Sequence, residues 1–587
     1  MKHLHQTSNI KHQASSIKHQ ASNIKHQASS IKHQTSNIKH QASKEENMQA
    51  ISDSKKPPAG KKLPIGIQAF ETMRERDYLY VDKTRHIHRM VTEGMFYFLS
   101  RPRRFGKSLL VSALKCLFQG RKELFEGLWI AGQPDCEWKT HPVIVIDFNE
   151  IPAGNPDELR RNLTFHLGQM AEDVGISLKA DIPELQFKEL ILNEYKKTGM
   201  PVAVFIDEYD KPIIEHLGKG RKGLETAKSN RDILKSFFGV LKGASVGPAL
   251  RFVFLTGISR FSKVSVFSEL NNLDDISMNR RYADMLGYTR EEIETCFTDH
   301  IGRFAEHLGW PRDRIIAKLE RQYDGYRFSE RDVRVCNPFS VLKSFSEFGF
   351  GKYWFETGTP TFLIRLLDEK RYYLPGIEEM SLDSFAVNYD IEHLRPEPLL
   401  FQTGYVTIRG TEEELYLLGY PNQEVRHAFA NHLLIFFTGD MDSGERSGVA
   451  RLAGYLRRED FEGFFETISA IFSSVPYDIQ TKRDEAYYHT LFYLMISASG
   501  TDGRSSVLTS RGRIDLVVTF PDKLYIIEFK CNRNAKSAIR QIRNKGYAEK
   551  YRQAGRKIIL MGINFSTEKR NVAEWKVVPD RDEDEGL

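Results

Sequence analysis

The sequence predicts an α/β chain with two separate sheets joined by a mainly helical middle. Three observations carry that prediction. Apolar strand patterns at 95–99, 143–148, 202–207 and 251–255 alternate with helical patterns, which implies a parallel sheet flanked by helices. From 286 to about 455 helical periodicity dominates, starting at Thr289-Arg290-Glu291-Glu292, a capped helix start, and broken by a short β-containing stretch at 401–420. Near the C-terminus, Gly512-Arg513-Ile514-Asp515-Leu516-Val517-Val518 and Tyr525-Ile526-Ile527-Glu528-Phe529-Lys530 read as paired strands, with helical spacing over 535–551. At 587 residues the chain exceeds one core. The expected parts are a tail at 1–47, then domains at 58–285, 286–455 and 456–587.

The tail repeats every seven residues, from Ile10 and again from Ile17, Ile24, Ile31 and Ile38. A coiled coil needs two apolar positions per heptad, and Gln13, Gln20 and Gln27 occupy the second. The tail therefore reads as disordered, with nascent helix at most. Met48 is an alternative start to Met1. The formal charge of +6 arises here, because residues 1–44 carry seven lysines and no acid, leaving the remainder near −1. Global charge thus says nothing about nucleic acid. Five cysteines without CxxC spacing fit a reducing cytosol and no zinc site. No run approaches 18 apolar residues and no secretory apolar segment opens the chain, so a cytoplasmic protein without a membrane span is expected.

The first strand runs into Arg101-Pro102-Arg103-Arg104-Phe105-Gly106-Lys107-Ser108 and then a helical stretch at 109–118. Strand, loop, Gly-Lys-Ser and helix is the order of a P-loop, whose backbone N–H groups cradle phosphates. Arg104, Phe105, Gly106, Lys107 and Ser108 are the expected ATP contacts, with Lys107 on the β/γ-phosphates and Ser108 on Mg²⁺. The glycine expected five positions before Gly106 is Arg101, which restricts the loop while Arg101, Arg103 and Arg104 add positive charge. About a hundred residues later Val202-Ala203-Val204-Phe205-Ile206 ends in Asp207 and Glu208. That is a Walker B pattern, with Asp207 supporting Mg²⁺ and Glu208 polarising the attacking water. Either segment alone could be ordinary; both in this order are specific. After 251–255, Thr256 reads as a γ-phosphate sensor or as a structural cap, with Arg260 the second choice.

At the C-terminal hairpin, strand alternation puts Glu528 and Lys530 on one face. A tight turn through Phe520-Pro521-Asp522-Lys523 pairs Thr519 with Leu524 and sets Asp515 opposite Glu528. Two carboxylates that hold Mg²⁺, beside a lysine, meet the needs of metal-assisted phosphodiester cleavage. The alternative is a hairpin with a solvated face. Arg533, Lys536, Arg540, Arg543, Lys545 and Lys550 lie around it and could engage phosphates.

This arrangement resembles the core of the PD-(D/E)XK nuclease superfamily. The resemblance implies that Gln541 is a polar helper on the following helix, and that Glu485 or His489 contributes from the preceding one. Leu63-Pro64-Ile65-Gly66, Tyr80-Val81-Asp82-Lys83-Thr84, the P-loop, Ile206-Asp207-Glu208-Tyr209-Asp210-Lys211-Pro212 and Thr256 to Phe267 together resemble the predicted AAA-ATPase-like family of bacteria, whose members commonly end in such a domain. Tyr323-Asp324-Gly325-Tyr326, Asn337-Pro338-Phe339-Ser340, Thr357-Gly358-Thr359-Pro360, Gln402-Thr403-Gly404-Tyr405 and Tyr420-Pro421-Asn422-Gln423-Glu424-Val425 fit the same family. The resemblance spans about 60 to 575. It implies an AAA-like P-loop NTPase domain, a lid with a winged-helix-like element, and a nuclease-like domain. The expected function is an ATP-binding, nucleotide-regulated, Mg²⁺-dependent nuclease on nucleic acid, DNA in the first place. The alternative is an ATP-switched nucleic-acid-binding or signalling protein without cleavage. A homo-oligomer is left open.

Overall fold

The computed structural model describes residues 60–580 apart from 261–269, 271, 358–360, 370–373, 384–390, 392–393, 440–442 and 476–484. The heptad tail, Met48, residues 261–267 of one motif and 358–360 of another lie outside the described residues.

Five strands form the first sheet: β1 (Phe96–Ser100), β2 (Val143–Asp147), β3 (Val202–Asp207), β4 (Leu250–Gly257) and β5 (Asp274–Asp275). All neighbours are parallel, in the order β2-β3-β4-β1-β5. Helices cover both faces, which is why β3 is apolar without alternation and Val202 to Ile206 are fully buried. The strands' C-terminal ends lie along one edge, and helix α1 (Lys107–Phe118) leaves that edge directly after β1.

In the middle, Thr289 and Glu292 form a reciprocal capping box on helix Arg290–Cys296, as the sequence predicts. Phe297, Ile301, Phe304, Ile315 and Leu319 pack there with Val341 and Phe345 of α2 (Pro338–Glu347). Three short antiparallel strands, β6 (Ser381–Asp383), β7 (Thr407–Glu412) and β8 (Leu415–Gly419), precede α3 (Gln423–Thr438). The boundary expected at 455 falls inside helix Ser443–Arg458.

The last domain contains α4 (Glu485–Ala498), β9 (Asp502–Thr509), β10 (Gly512–Thr519), β11 (Lys523–Cys531), α5 (Ala535–Asn544), β12 (Lys557–Ser566) and β13 (Asn571–Pro579). Their sheet runs β13-β12-β11-β10-β9, antiparallel except for β11 and β12. That parallel pair needs a long crossover, and α5 supplies it. The single helix expected over 535–551 is two elements. α5 stops at Asn544, Gly546 takes a left-handed φ of 59°, and 3₁₀ turns follow over Tyr547–Ala554. Glycine tolerates that conformation where other residues are strained, so the helical spacing of Tyr547 and Tyr551 misled. Among the described residues no helix is long and apolar enough to cross a membrane.

Candidate functional site

The first site is a cavity of ≈ 570 Å³ at the strand ends of the parallel sheet. Arg103, Arg104, Gly106, Lys107 and Ser108 line it, opposite Asp147, Glu208 and Asp210, with Phe339 and Leu342 of α2 forming a further wall. Gly106 caps α1 with φ 95° and Arg104 has φ 66°. The left-handed backbone turns the loop into the helix N-terminus, where unpaired N–H groups and the helix dipole favour an anion. Lys107 is 4% exposed. Its Nζ donates to the carbonyls of Arg101 at 3.2 Å and Pro102 at 3.4 Å, and lies 3.3 Å from Glu208 Oε1.

Acidic groups gather beside it. Asp207 on β3 is in register with Asp147 on β2. Burial, then the charge of Glu208, raises Asp207 to about 6, against the hydrogen bond from Ser108. Burial also raises Asp147. Carboxylates held up in this way, with the Ser108 hydroxyl at hand, form an oxygen donor set that suits Mg²⁺. Asp147 was not singled out by sequence reasoning; the available signal was that its strand, like β3, ends in an acid. Asp210 is fully buried and accepts from the backbone of Ile258 and Ser259, so it fixes the exit of β4.

Three expectations change here. Thr256 is not brought to the cavity: its buried hydroxyl donates to the Leu99 carbonyl at 2.8 Å, and Ile258 lines the wall instead. Phe105 turns its ring into the core, edge-on to Tyr326 at 4.9 Å and Phe328 at 5.4 Å. Only its backbone remains for a nucleotide. Arg101 contributes no charge to the cavity. Its guanidinium donates to the carbonyls of Ser100 (2.9 Å), Ser277 (2.6 Å) and Tyr282 (3.2 Å), over the Phe328 ring. Burial draws its pKa down to about 9. Arg260 is likewise engaged, with Asp275 at 3.0 Å.

Arg101 is therefore a strut that ties the loop before Gly106 to the segment after β5. Arg101→Gly, which restores the usual P-loop residue, is expected to destabilise the fold by about 2–4 kcal/mol, since it orphans buried carbonyls and opens a cavity. A thermal melt of this variant unchanged from the parent would overturn that role.

The second site lies on the C-terminal sheet. The register Thr519↔Leu524 through Leu516↔Ile527 is the one the tight turn predicts, and just beyond its last pair Asp515 and Glu528 lie near enough for their charges to interact. Asp515 Oδ2 accepts from the Phe529 N–H at 2.8 Å. Glu528 is 2% exposed; its Oε1 accepts from Lys530 Nζ at 3.1 Å and from Gln541 Nε2, and its Oε2 has no hydrogen-bond partner. Lys530 also donates to the Phe529 carbonyl at 2.7 Å. Glu485 on α4 adds negative charge felt by Asp515 and Glu528. His489, one turn further along α4, packs on Phe529 with ring centroids 4.8 Å apart, and burial holds it down to about 4.

A backbone irregularity flanks the site at Ser506. This serine is buried, has φ 54°, and stands where β9 pairs with β10 on either side of Asp515 but not at it. A serine in that region is strained, a condition that concentrates at functional sites; no sequence pattern marks it.

Burial and the charge of Asp515 raise Glu528 to about 8, and burial raises Asp515 to about 6. An orphaned buried carboxylate oxygen beside a second raised carboxylate fits a hard divalent cation, with water and phosphate oxygens completing its shell. Among the described residues no three His, Cys, Asp or Glu side chains converge at ligating distance, so Asp515 and Glu528 are the donors at hand.

A pH dependence follows. Folding raises the Glu528 pKa, so the folded state retains a proton that the unfolded chain gives up, and its stability falls as pH rises from the ordinary 4.5 to about 8. The expected result is a melting temperature that drops across this window without metal, drops less in Glu528→Gln, and gains more from Mg²⁺ at pH 8.5 than at pH 6. A metal effect independent of pH would contradict the assignment.

Residues 64–267 match the model of a family described as predicted AAA-ATPase, and residues 483–575 match that of the PD-(D/E)XK nuclease superfamily. A protein of Azotobacter chroococcum mcd 1, described as an uncharacterized protein in the vnfD 5' region, is 38% identical over 529 residues, covering 88% of this chain and 99% of its own.

Proposed function

The chain belongs to the predicted AAA-ATPase-like family with a C-terminal PD-(D/E)XK nuclease superfamily domain, and on that premise we propose that it is an ATP-binding, Mg²⁺-dependent nuclease acting on DNA. One observation carries this reading. Asp515, Glu528, Lys530 and Gln541 meet in one cluster, with Glu528 and Lys530 buried and Asp515 and Gln541 half-buried, and the Oε2 oxygen of Glu528 is unsatisfied. A solvated hairpin face has no reason to bury such a group, because a buried carboxylate oxygen without a partner is costly.

Asp515 and Glu528 would hold Mg²⁺, which when bound activates water and neutralises charge on the scissile phosphate. Lys530 keeps its ammonium at Glu528, where it can orient a water or balance charge at the phosphate. Gln541 fixes Glu528 through its amide. At the nucleotide site Ser108 and Asp207 would hold the second Mg²⁺, Lys107 would exchange Glu208 for the β/γ-phosphates, and the released Glu208 would polarise the attacking water.

The test is purified full-length protein with Mg²⁺, with and without ATP, against linear, circular and single-stranded DNA and against RNA. Cleavage of DNA that ATP modulates supports the proposal. Binding without cleavage under every Mg²⁺ or Mn²⁺ condition would replace it with the switched binding protein. Cleavage of RNA alone would correct the substrate.

A further inference from the structure

Several middle-region motifs take no part in the chemistry of either site, yet they converge behind the P-loop. Tyr326 backs Phe105. Gly404 approaches Pro102 so closely that a Cβ on it would stand 2.8 Å from the proline ring. The indole Nε1 of Trp354 donates to the Arg103 carbonyl at 3.1 Å. At the meeting point is Glu424, fully buried in the first turn of α3. Its carboxylate accepts from the Trp354 N–H at 2.8 Å and from the Ser340 hydroxyl at 2.9 and 3.1 Å.

Neither partner lines the nucleotide cavity, but each is tied to a residue or helix that does. Ser340 is on α2, between Phe339 and Leu342, which line it, and the Arg104 guanidinium lies 4.7 Å from the Phe339 ring. Trp354 holds the P-loop backbone. Glu424 thus closes a ring of contacts from loop to α2. Its own helix leads elsewhere: α3 packs along α4, the helix bearing Glu485 and His489. Two residues on, Arg426 donates to Asp502 at 2.9 Å and to the Gly503 carbonyl at 2.6 Å, at the start of β9.

We propose that Glu424 is a positioning residue that joins the nucleotide cavity to the nuclease site, acting through Trp354 and Ser340 on one side and through the α3–α4 pair on the other. This rests on the reading of both sites given above. Nucleotide entering between the P-loop and Phe339 shifts one wall against the other. A buried carboxylate bonded to both cannot keep all its bonds unless α3 moves, and packed elements have discrete rather than continuous arrangements. The displacement arrives at Glu485, beside Asp515 and Glu528.

The experiment measures ATP affinity by calorimetry and backbone hydrogen exchange in the full chain with and without ATP, in the parent, Glu424→Gln and Trp354→Phe. Trp354→Phe keeps an aromatic side chain and the main-chain bond to Glu424 while deleting the tie to Arg103, so it guards against a Glu424 variant that does not fold. ATP is expected to slow exchange in α4 of the parent at least threefold. In Trp354→Phe that response is expected to vanish while ATP still binds, a split that a merely structural role would not produce. ATP binding without any change at α4 in the parent overturns the joint but leaves the nucleotide site standing. Absence of ATP binding in the parent overturns both. A full α4 response in both variants overturns the route through Glu424.

Discussion

Glu528→Gln and Asp515→Asn each abolish DNA cleavage, as the expected outcome of removing a metal ligand without removing its neighbours. The loss amounts to several kcal/mol of transition-state stabilisation, about 10³-fold or more in rate. The amide variants are preferable to alanine on structural grounds. Alanine at 528 strands the Gln541 amide and takes the carboxylate partner from the Lys530 ammonium, and alanine at 515 strands the Phe529 N–H. Each orphaned buried group costs about 1–3 kcal/mol, which would confuse inactivation with unfolding. The amides retain an acceptor and remove one of two carboxylates that repel each other once both are ionised, so above the Glu528 pKa of about 8 the apoprotein melts no lower than the parent. DNA binding survives, because the attraction comes from the surrounding lysines and arginines. Lys530→Ala also inactivates, but with Mg²⁺ affinity retained, since an ammonium is not a ligand. Cleavage in either amide variant at a rate near the parent's would return the cluster to a structural role.

How far the sequence could be read differs between the two sites for physical reasons. At the hairpin, a two-fold strand period and a tight turn fix which side chains meet, so Asp515, Glu528 and Lys530 were legible before any coordinates. Gln541 came only with a family resemblance, because its contact crosses from a helix to a strand and no local period encodes that distance. The loop ending in Gly106-Lys107-Ser108 was legible as a strand-to-helix turn, and two of its side chains were misread as chemistry. Its glycine, lysine and serine sit where the pattern puts them, whereas Arg101 and Phe105 turn inward. The reason lies more than 170 residues away, in the Ser277 and Tyr282 carbonyls and in Phe328, which give both side chains buried partners. Thr256 shows the same limit, since a polar residue at a strand end either faces the ligand or bonds to the neighbouring strand, and β1 decides it. Tertiary partners also explain Glu424, an unremarkable acid at a helix start until Trp354 and Ser340 are seen to share it.

Lys107→Ala eliminates measurable ATP binding, with affinity falling about 10²-fold or more for the loss of its charge-assisted contact to the phosphates. The geometry makes this substitution doubly costly. In the parent, the Lys107 ammonium lies against Glu208 and two loop carbonyls, so it is the cation set directly against Glu208 in a cavity that Arg103, Arg104 and Lys211 also line. Removing that cation leaves Glu208 to face the β/γ-phosphates with its charge uncompensated. The complementary variant separates the two roles. Glu208→Gln relieves Lys107 of its competing partner, so ATP affinity is expected to equal or exceed the parent's, while turnover drops about 10²–10⁴-fold through loss of the water-polarising carboxylate. Calorimetry and a phosphate-release assay on the same preparations distinguish the outcomes. Equal ATP affinity in Lys107→Ala would remove the P-loop assignment outright. An unchanged hydrolysis rate in Glu208→Gln would place water activation elsewhere, with Asp147, in register with Asp207 on the adjacent strand, the next residue to substitute.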